Sequence, residues 1–367
     1  MNENIKNTRY AMYSVPVVIP CYEPDERLTE LLEELCRAGI RPVILVNDGS
    51  GPEYDACFEN ALRIIRPSGG VLLSHAVNQG KGRSLKDAFR YILQQMPEAA
   101  GCITADSDGQ HTVACIQKCL QVFRDHPDEL ILGSRDFTSA NVPAKSRQGN
   151  RISRFACRFL CGIAVSDTQT GLRGIPVSFM HRLLDIPGDR FEFEMEMLLA
   201  SRDTLKIREV PIETVYDSRE NHSTHFDPLR DSLRISRVFG RVFGKFIFSS
   251  VSSSVLDLAL FALFCWLLKG RFFGDLYPAA ATVCARILSA LYNYLINYKI
   301  VFRSTASKAR SVSRYAILAA VQMLCSAGLV TILLMLFRGA PELAVKIPVD
   351  TFLFFISYYI QHEFVFR

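Results

Sequence analysis

The chain has 367 residues, 49% of them hydrophobic, with 42 Lys and Arg against 37 Asp and Glu and a formal net charge of +5. A length of this order predicts two domains rather than one core. The basic excess gathers around residues 228–245 and 299–314, beside apolar segments, which suits anionic lipid and sets nucleic acid aside as a partner.

Residues 1–14 are polar and carry no apolar h-region, so the first domain is expected to stay in the cytoplasm with its thiols reduced. The eleven cysteines show no zinc-finger spacing; Cys115/Cys119 and Cys157/Cys161 read as small buried hydrophobes. From Val15 to about Pro211, short β-branched runs alternate with helix-period stretches. "VPVVIP" (15–20), "PVILVN" (42–47), "GVLLSH" (70–75), "GCITAD" (101–106) and "LILGSR" (130–135) read as buried strands. Residues 25–39, 82–96 and 111–126 carry apolar faces at helical spacing between them. Alternation of this kind predicts an α/β domain with a mostly parallel sheet, whose ligands bind beyond the carboxyl ends of the strands. Tyr22, Glu23, Asp48, Asp106, Asp108 and Arg135 all fall at such ends.

Beyond Lys245, apolar segments at about 246–268, 278–301, 315–337 and 345–361 predict a four-helix membrane domain, the last segment interrupted by Lys346 and Asp350. Lys299, Arg303, Lys308, Arg310 and Arg314 crowd one loop, whereas Lys269, Arg271 and Asp275 occupy the one before it. This asymmetry places both termini, and the first domain, on the cytoplasmic side of the inner (plasma) membrane. "YLINYKIVFR" (294–303) returns as "YYIQHEFVFR" (358–367), so the membrane half reads as a duplicated helical hairpin with its copies in the same orientation. The domains expected are 1–227, a linking interfacial helix over 228–245 that sets Leu229, Leu233, Phe239 and Phe243 among arginines, and 246–367. Asp257 and Arg286 lie at similar depth, and the repeat maps Arg286 onto Asp350, so these three are either a functional intramembrane site or structural ion pairs.

The segment "ADSDGQH" (105–111) puts two carboxylates one residue apart after a strand. Paired carboxylates of this kind hold a hard divalent cation, and magnesium takes one or two of them alongside substrate phosphates; the same residues also make plain turns. "NQGKGRS" (78–84) is not a Walker loop, because His75 stands where that pattern needs Gly. Its glycine turn at a helix start still makes Gly80 and Lys81 candidate donor contacts.

"VVIPCYEPDERL", "VNDGS", "NQGKG", "ADSDGQH" and "GSRDF" follow one another at successive strands, with "SDTQTGLRGIP" (166–176), "FEFEMEML" (191–198) and "REVPIETVY" (208–216) after them. In this order they resemble family 2 glycosyltransferases of the GT-A fold, in the dolichol-phosphate mannose synthase and bactoprenol glucosyltransferase branch, over about residues 14–235. The resemblance implies that Pro20, Tyr22, Glu23 and Asp48 surround a nucleoside. It implies further that Asp106, Asp108 and Gln110 face the diphosphate and Mg2+ or Mn2+, and that Asp108 and Arg135 serve catalysis. Mannose synthases often read T-Y-N-E where this chain has "CYEP" (21–24), which leaves guanine against uracil open.

A lipid phosphate acceptor is already ionised and needs cations rather than a base, and Arg135, Arg147, Arg151 and Arg154 are candidates to hold it; the stretch also reads as a solvated helix face. Asp167, Glu192 and Glu194 are positional, or bases if the acceptor is a hydroxyl. The membrane half resembles the GtrA family, four-helix proteins whose association with such transferases implies movement of the sugar-loaded lipid. The expectation is thus a metal-dependent inverting transferase that moves a sugar from a UDP-linked donor such as UDP-glucose to a polyprenyl phosphate at the membrane surface. GDP-mannose as donor, another membrane acceptor, and a transporter with a non-catalytic soluble module are the alternatives. A homo-oligomer is compatible with the sequence.

Overall fold

The computed structural model describes residues 14–137, 142, 144–202, 204–213, 230–269, 277–302, 304, 306–337 and 341–366. Residues 228–229, Arg271, Asp275 and Arg303, all weighed above, lie outside that set. The chain divides into two compact units, one ending at Val238 and the other beginning at Phe239.

In the first unit the apolar runs form β1 (Val17–Cys21), β2 (Val43–Asn47), β3 (Val71–Ser74), β4 (Gly101–Thr104) and β5 (Leu130–Arg135), joined by β6 (Arg173–Pro176) and β7 (Ile207–Ile212). The helices are α1 (Glu26–Arg37), α2 (Asp55–Ile65), α3 (Lys81–Gln95), α4 (Val113–Asp125), α5 (Ala144–Cys161), α6 (Val177–Leu184) and α7 (Glu192–Ser201). Asp25 and Thr112 start α1 and α4 by accepting from the N–H groups of Arg27 and Cys115, the usual means of satisfying the first-turn donors.

One seven-stranded sheet results, in the order β3-β2-β1-β4-β6-β5-β7. Val17 pairs with Val43 on one side and Ile103 on the other, and Leu130 with Ile207, all in parallel register. Strand period splits the buried apolar residues between two faces. Val17, Ile19 and Cys21 join Leu28, Leu32, Phe58, Ile116 and Phe123 in one core under α1, α2 and α4. Val18, Ile44 and Val46 are buried on the opposite face, where α3 packs on β1 and β2.

β6 is the exception to the parallel rule, running antiparallel to both β4 and β5. Its first residue, Arg173, therefore lies beside Thr104 and Leu132, near the strands' carboxyl ends. The segment that precedes β6, residues 166–172, is delivered by this reversal to the edge where the candidate site residues collect.

The described part of the second unit is helical: the rest of α8 (Arg230–Leu268), then α9 (Tyr277–Ile296), α10 (Lys308–Leu336) and α11 (Glu342–Ile360), the last containing Pro348. Among the described residues two stretches, Phe243–Leu268 and Lys308–Val330, are long and apolar enough to cross a membrane by length and composition, against the four segments expected from the sequence. α9 and α11 each run on into a π-helical turn, Asn297–Val301 and Gln361–Val365.

The two turns are sequence equivalents, and they meet. Asn297 Nδ2 donates to Gln361 Oε1 at 3.0 Å, a pair 64 residues apart, which is the offset of the repeat. Phe302 and its equivalent Phe366 stack at 5.1 Å. Tyr294 meets Phe366 at 5.7 Å and Phe302 meets Tyr358 at 5.8 Å; Tyr298 meets Phe366 and Phe302 meets His362 in the same reciprocal way. Reciprocity of this kind is the mark of a two-fold relation, here internal to one chain. Asp257 takes the expected intramembrane contact, Arg286 Nη2 lying 3.4 Å from its Oδ2, and a further one not foreseen, the Ser289 hydroxyl donating to its Oδ1 at 2.7 Å. Asp350 accepts from the Ser326 hydroxyl at 2.6 Å.

Candidate active site

The site is assembled at the carboxyl edge of β1, β2, β4 and β5. Pro20 is buried near the end of β1. Tyr22 follows, its hydroxyl raised from the ordinary tyrosine value chiefly by its hydrogen bond to Glu23. Glu23 has φ 47°, a left-handed conformation uncommon outside glycine, and its N–H donates to Ser50 Oγ at 2.9 Å.

Asp48, after β2, is almost wholly buried and turned onto the loop before α3. Its Oδ1 accepts from the Gln79 N–H at 2.9 Å and faces His75 Nδ1 at 2.8 Å, and its Oδ2 accepts from the Gly80 N–H at 2.8 Å. The Gly80 N–H is thus spent on a carboxylate of the chain itself. His75 Nε2 lies 3.0 Å from Asp87 Oδ2, so the ring spans two acidic side chains and ties the loop to α3. The 188–190 segment presses on the same turn: a side chain at Gly80 would meet the Asp189 carbonyl at 2.4 Å.

Lys81 opens α3 and its ammonium lies between two carboxylates. Nζ is 2.6 Å from Asp106 Oδ1 and 2.8 Å from Glu194 Oε1. Burial alone would lower the Lys81 pKa, but the two carboxylates outweigh it and raise it. Burial likewise pushes Asp106 up, and Lys81, His111 and Arg135 together hold it down, to about 2. Asp108 goes the other way: burial and the neighbouring Asp106 charge raise it. His111, buried, has its pKa lowered by desolvation, which the Asp106 charge only partly offsets. Gln110 sits in the turn, its backbone N–H donating to Asp108 Oδ1 at 3.1 Å.

Behind Asp106 the segment delivered by β6 closes the cleft. A Cβ at Gly171 would stand 2.2 Å from Asp106 Oδ2, so any larger residue there has to displace that carboxylate. Asp167, fully buried, takes Arg135 by two contacts, Nε to Oδ2 at 2.6 Å and Nη2 to Oδ1 at 3.0 Å. Such a forked pair fixes the guanidinium in direction as well as place. α5 anchors this segment through Asn150 Nδ2 on the Ser166 carbonyl, 2.9 Å, and Ser153 with Thr168, 2.7 Å. Arg147, Arg151 and Arg154 fall on the exposed face of α5, with Arg147 Nη2 3.4 Å from the Val142 carbonyl.

Lys81, Asp106 and Arg135 are therefore drawn into one electrostatic cluster, with Asp108 coupled to it through Asp106, while Arg147 and Arg151 stand on a helix surface. Sequence reasoning underused Glu194 and Gly171. The signal for both was present in "FEFE" and "TGLRG", but without the antiparallel β6 neither had a reason to meet Asp106. Among the described residues no group of three or more His, Cys, Asp or Glu side chains is arranged to hold a metal ion. All eleven cysteines are free thiols, most of those in the first unit buried, with Cys284 and Cys325 exposed.

Comparison with known proteins finds matches to the two halves of the chain separately. Residues 17–184 match the family described as glycosyl transferase family 2, and residues 245–366 match the GtrA/DPMS transmembrane domain. An uncharacterized protein of Methanocaldococcus jannaschii is 29% identical over 205 residues, covering 54% of this chain and 81% of that protein. A UDP-N-acetylglucosamine–dolichyl-phosphate N-acetylglucosaminyltransferase of Methanococcus voltae is 25% identical over 224 residues, covering 54% of this chain and 85% of that protein. Among solved structures, glucosyl-3-phosphoglycerate synthase from Mycobacterium tuberculosis, in complex with Mg2+ and UDP, superposes with a TM-score of 0.46 at 15% identity, over 64% of this chain and 79% of that one. By these two matches, residues 17–184 belong to a glycosyl transferase family 2 domain built on a mostly parallel sheet, and residues 245–366 to a GtrA/DPMS transmembrane domain.

Proposed function

We propose that the protein transfers a sugar from a nucleoside diphosphate donor, with uridine as the preferred base, to a polyprenyl phosphate at the cytoplasmic membrane surface, with help from Mg2+ or Mn2+ and with inversion at the anomeric carbon. The observation that carries this reading is the Asp106 carboxylate already gripping a cation, the Lys81 ammonium at 2.6 Å, with Asp108 beside it. That ammonium is a stand-in for a metal ion, and the raised Asp108 pKa marks a carboxyl whose ionised form a further cation would relieve. The residues fit a hard cation held by Asp106 and Asp108, with Gln110 next to them and phosphate and water completing the shell. Bound there, the ion would neutralise charge on the departing diphosphate.

The chain's own groups supply the rest. Pro20, Tyr22 and Glu23 line the nucleoside end, and Asp48 acts by fixing the loop that carries Gly80 and Lys81. Lys81 brings a positive charge to the diphosphate side of the cleft. Arg135, oriented by Asp167, holds the acceptor phosphate in line, and Arg147 and Arg151 offer further charge to it from α5. An acceptor phosphate is ionised at neutral pH, so no side chain has to take a proton from it. The Methanococcus relative, whose name pairs a UDP-sugar with a dolichyl phosphate, supports both the acceptor class and the base.

Membranes containing the protein, given labelled nucleotide sugars and undecaprenyl phosphate with and without Mn2+, should yield a chloroform-soluble labelled product that EDTA abolishes. Proton NMR of that product should show the anomer opposite to the donor's. Transfer that persists after chelation, or no transfer from any donor, rejects the reading; the second result favours the transporter.

A further inference from the structure

We infer that Lys81 is a built-in competitor for the cation position at Asp106, and that Glu194 is the positioning residue that sets how strongly it competes. A divalent ion and a nucleoside diphosphate then bind cooperatively. The inference rests on the metal-dependent reading above and deepens it.

Both ends of the lysine's grip are set in packed surroundings. Its stem leaves the chain one residue after Gly80, which Asp48 holds by the backbone N–H and which Asp189 crowds from outside. Gly82, one residue on, is packed against Phe193 and the Arg190 carbonyl. On the other side, Asp106 is backed by Gly171, where an added Cβ would stand 2.2 Å from Oδ2. Glu194 is buried in the first turn of α7, where the fully buried Arg173 donates from Nη1 to its backbone carbonyl at 2.7 Å.

A divalent ion approaching Asp106 thus meets an ammonium already on Oδ1, and two cations on one carboxylate repel strongly in a cleft of low dielectric. The ammonium has one retreat in view, the Glu194 carboxylate at 2.8 Å. A diphosphate changes the balance by bringing negative charge that attracts both cations, so that neither needs to leave. Each ligand then strengthens the other's binding by the same factor, as linkage requires.

The test measures Mn2+ binding to the full-length protein in lipid nanodiscs, by the loss of the free-ion electron paramagnetic resonance signal, alone and with UDP or GDP. The wild type should bind Mn2+ more tightly with a diphosphate than without, by a factor in the usual range of coupled sites, about 5–150. Lys81→Met and Lys81→Gln should bind Mn2+ alone about tenfold more tightly and lose most of that diphosphate effect. Glu194→Gln should weaken Mn2+ binding, because the ammonium then falls wholly on Asp106, and Glu194→Asp should restore it in part. Thermal melting of each variant identifies any that is misfolded, and the remaining variants decide. Equal Mn2+ affinity in the wild type and a folded Lys81 variant overturns the inference, as does a folded Glu194→Gln that binds Mn2+ as well as the wild type. Absence of Mn2+ binding in every protein with either diphosphate overturns instead the metal-dependent reading on which it rests.

Discussion

Gly171 shows how tightly single positions are set. Its α-carbon lies so close to Asp106 that an added methyl would overlap Oδ2 at 2.2 Å, and the Thr104 hydroxyl fixes its carbonyl at 2.7 Å. Gly171→Ala must therefore move the carboxylate rather than the backbone. A displacement of about 1 Å in such a group costs on the order of 10²-fold in rate. The variant is expected to show that loss in kcat with a melting temperature near wild type, measured on lipid glycosylation and thermal unfolding in parallel. Asp48 teaches a related lesson: its position after β2 was legible in "VNDGS", but its oxygens serve Gln79, Gly80 and His75, contacts that depend on where the 75–80 loop returns.

At the level of elements, β7 is held to β5 by their parallel ladder and by Glu129, which receives Lys206 Nζ at 3.0 Å and Arg208 Nε at 2.5 Å. The Arg208 hydrogen bond holds the Glu129 carboxyl below its ordinary range. A depressed carboxyl contributes stability that is present above its unfolded value, about 4.3, and is lost as pH falls through the lower folded one. Glu129→Gln should accordingly melt below wild type at pH 7, with the gap closing as the pH is taken below about 4; a gap that persists in acid would show that the ion pair is not its source. The runs that made β1 to β5 were readable because continuous apolar β-branched stretches mark buried parallel strands. β6 is short, and no local feature announced its direction, which only pairing with β4 and β5 decides.

Across the whole molecule, the charge asymmetry of the loops sets the expected arrangement in the membrane. Reporter fusions made after Phe273 should give periplasmic alkaline phosphatase activity and no green fluorescence. Fusions after Ser307 and at the C-terminal end should do the reverse; phosphatase activity at Ser307 would invert the assigned topology. The duplication in the second unit was visible as recurring letters, and folding turned it into contact between equivalents, Asn297 with Gln361 and Phe302 with Phe366.

The sequence by itself determined what is local or periodic: which runs become the first five strands, where a repeat lies, and which acidic residues sit at strand ends. Tertiary structure alone decided which of these meet. Lys81 lies between Asp106 and Glu194, and Arg135 on Asp167, because an antiparallel strand and a packed loop return distant segments to one edge of the sheet. Strand order is fixed by the free energy of the whole core, and no window of neighbouring residues carries it.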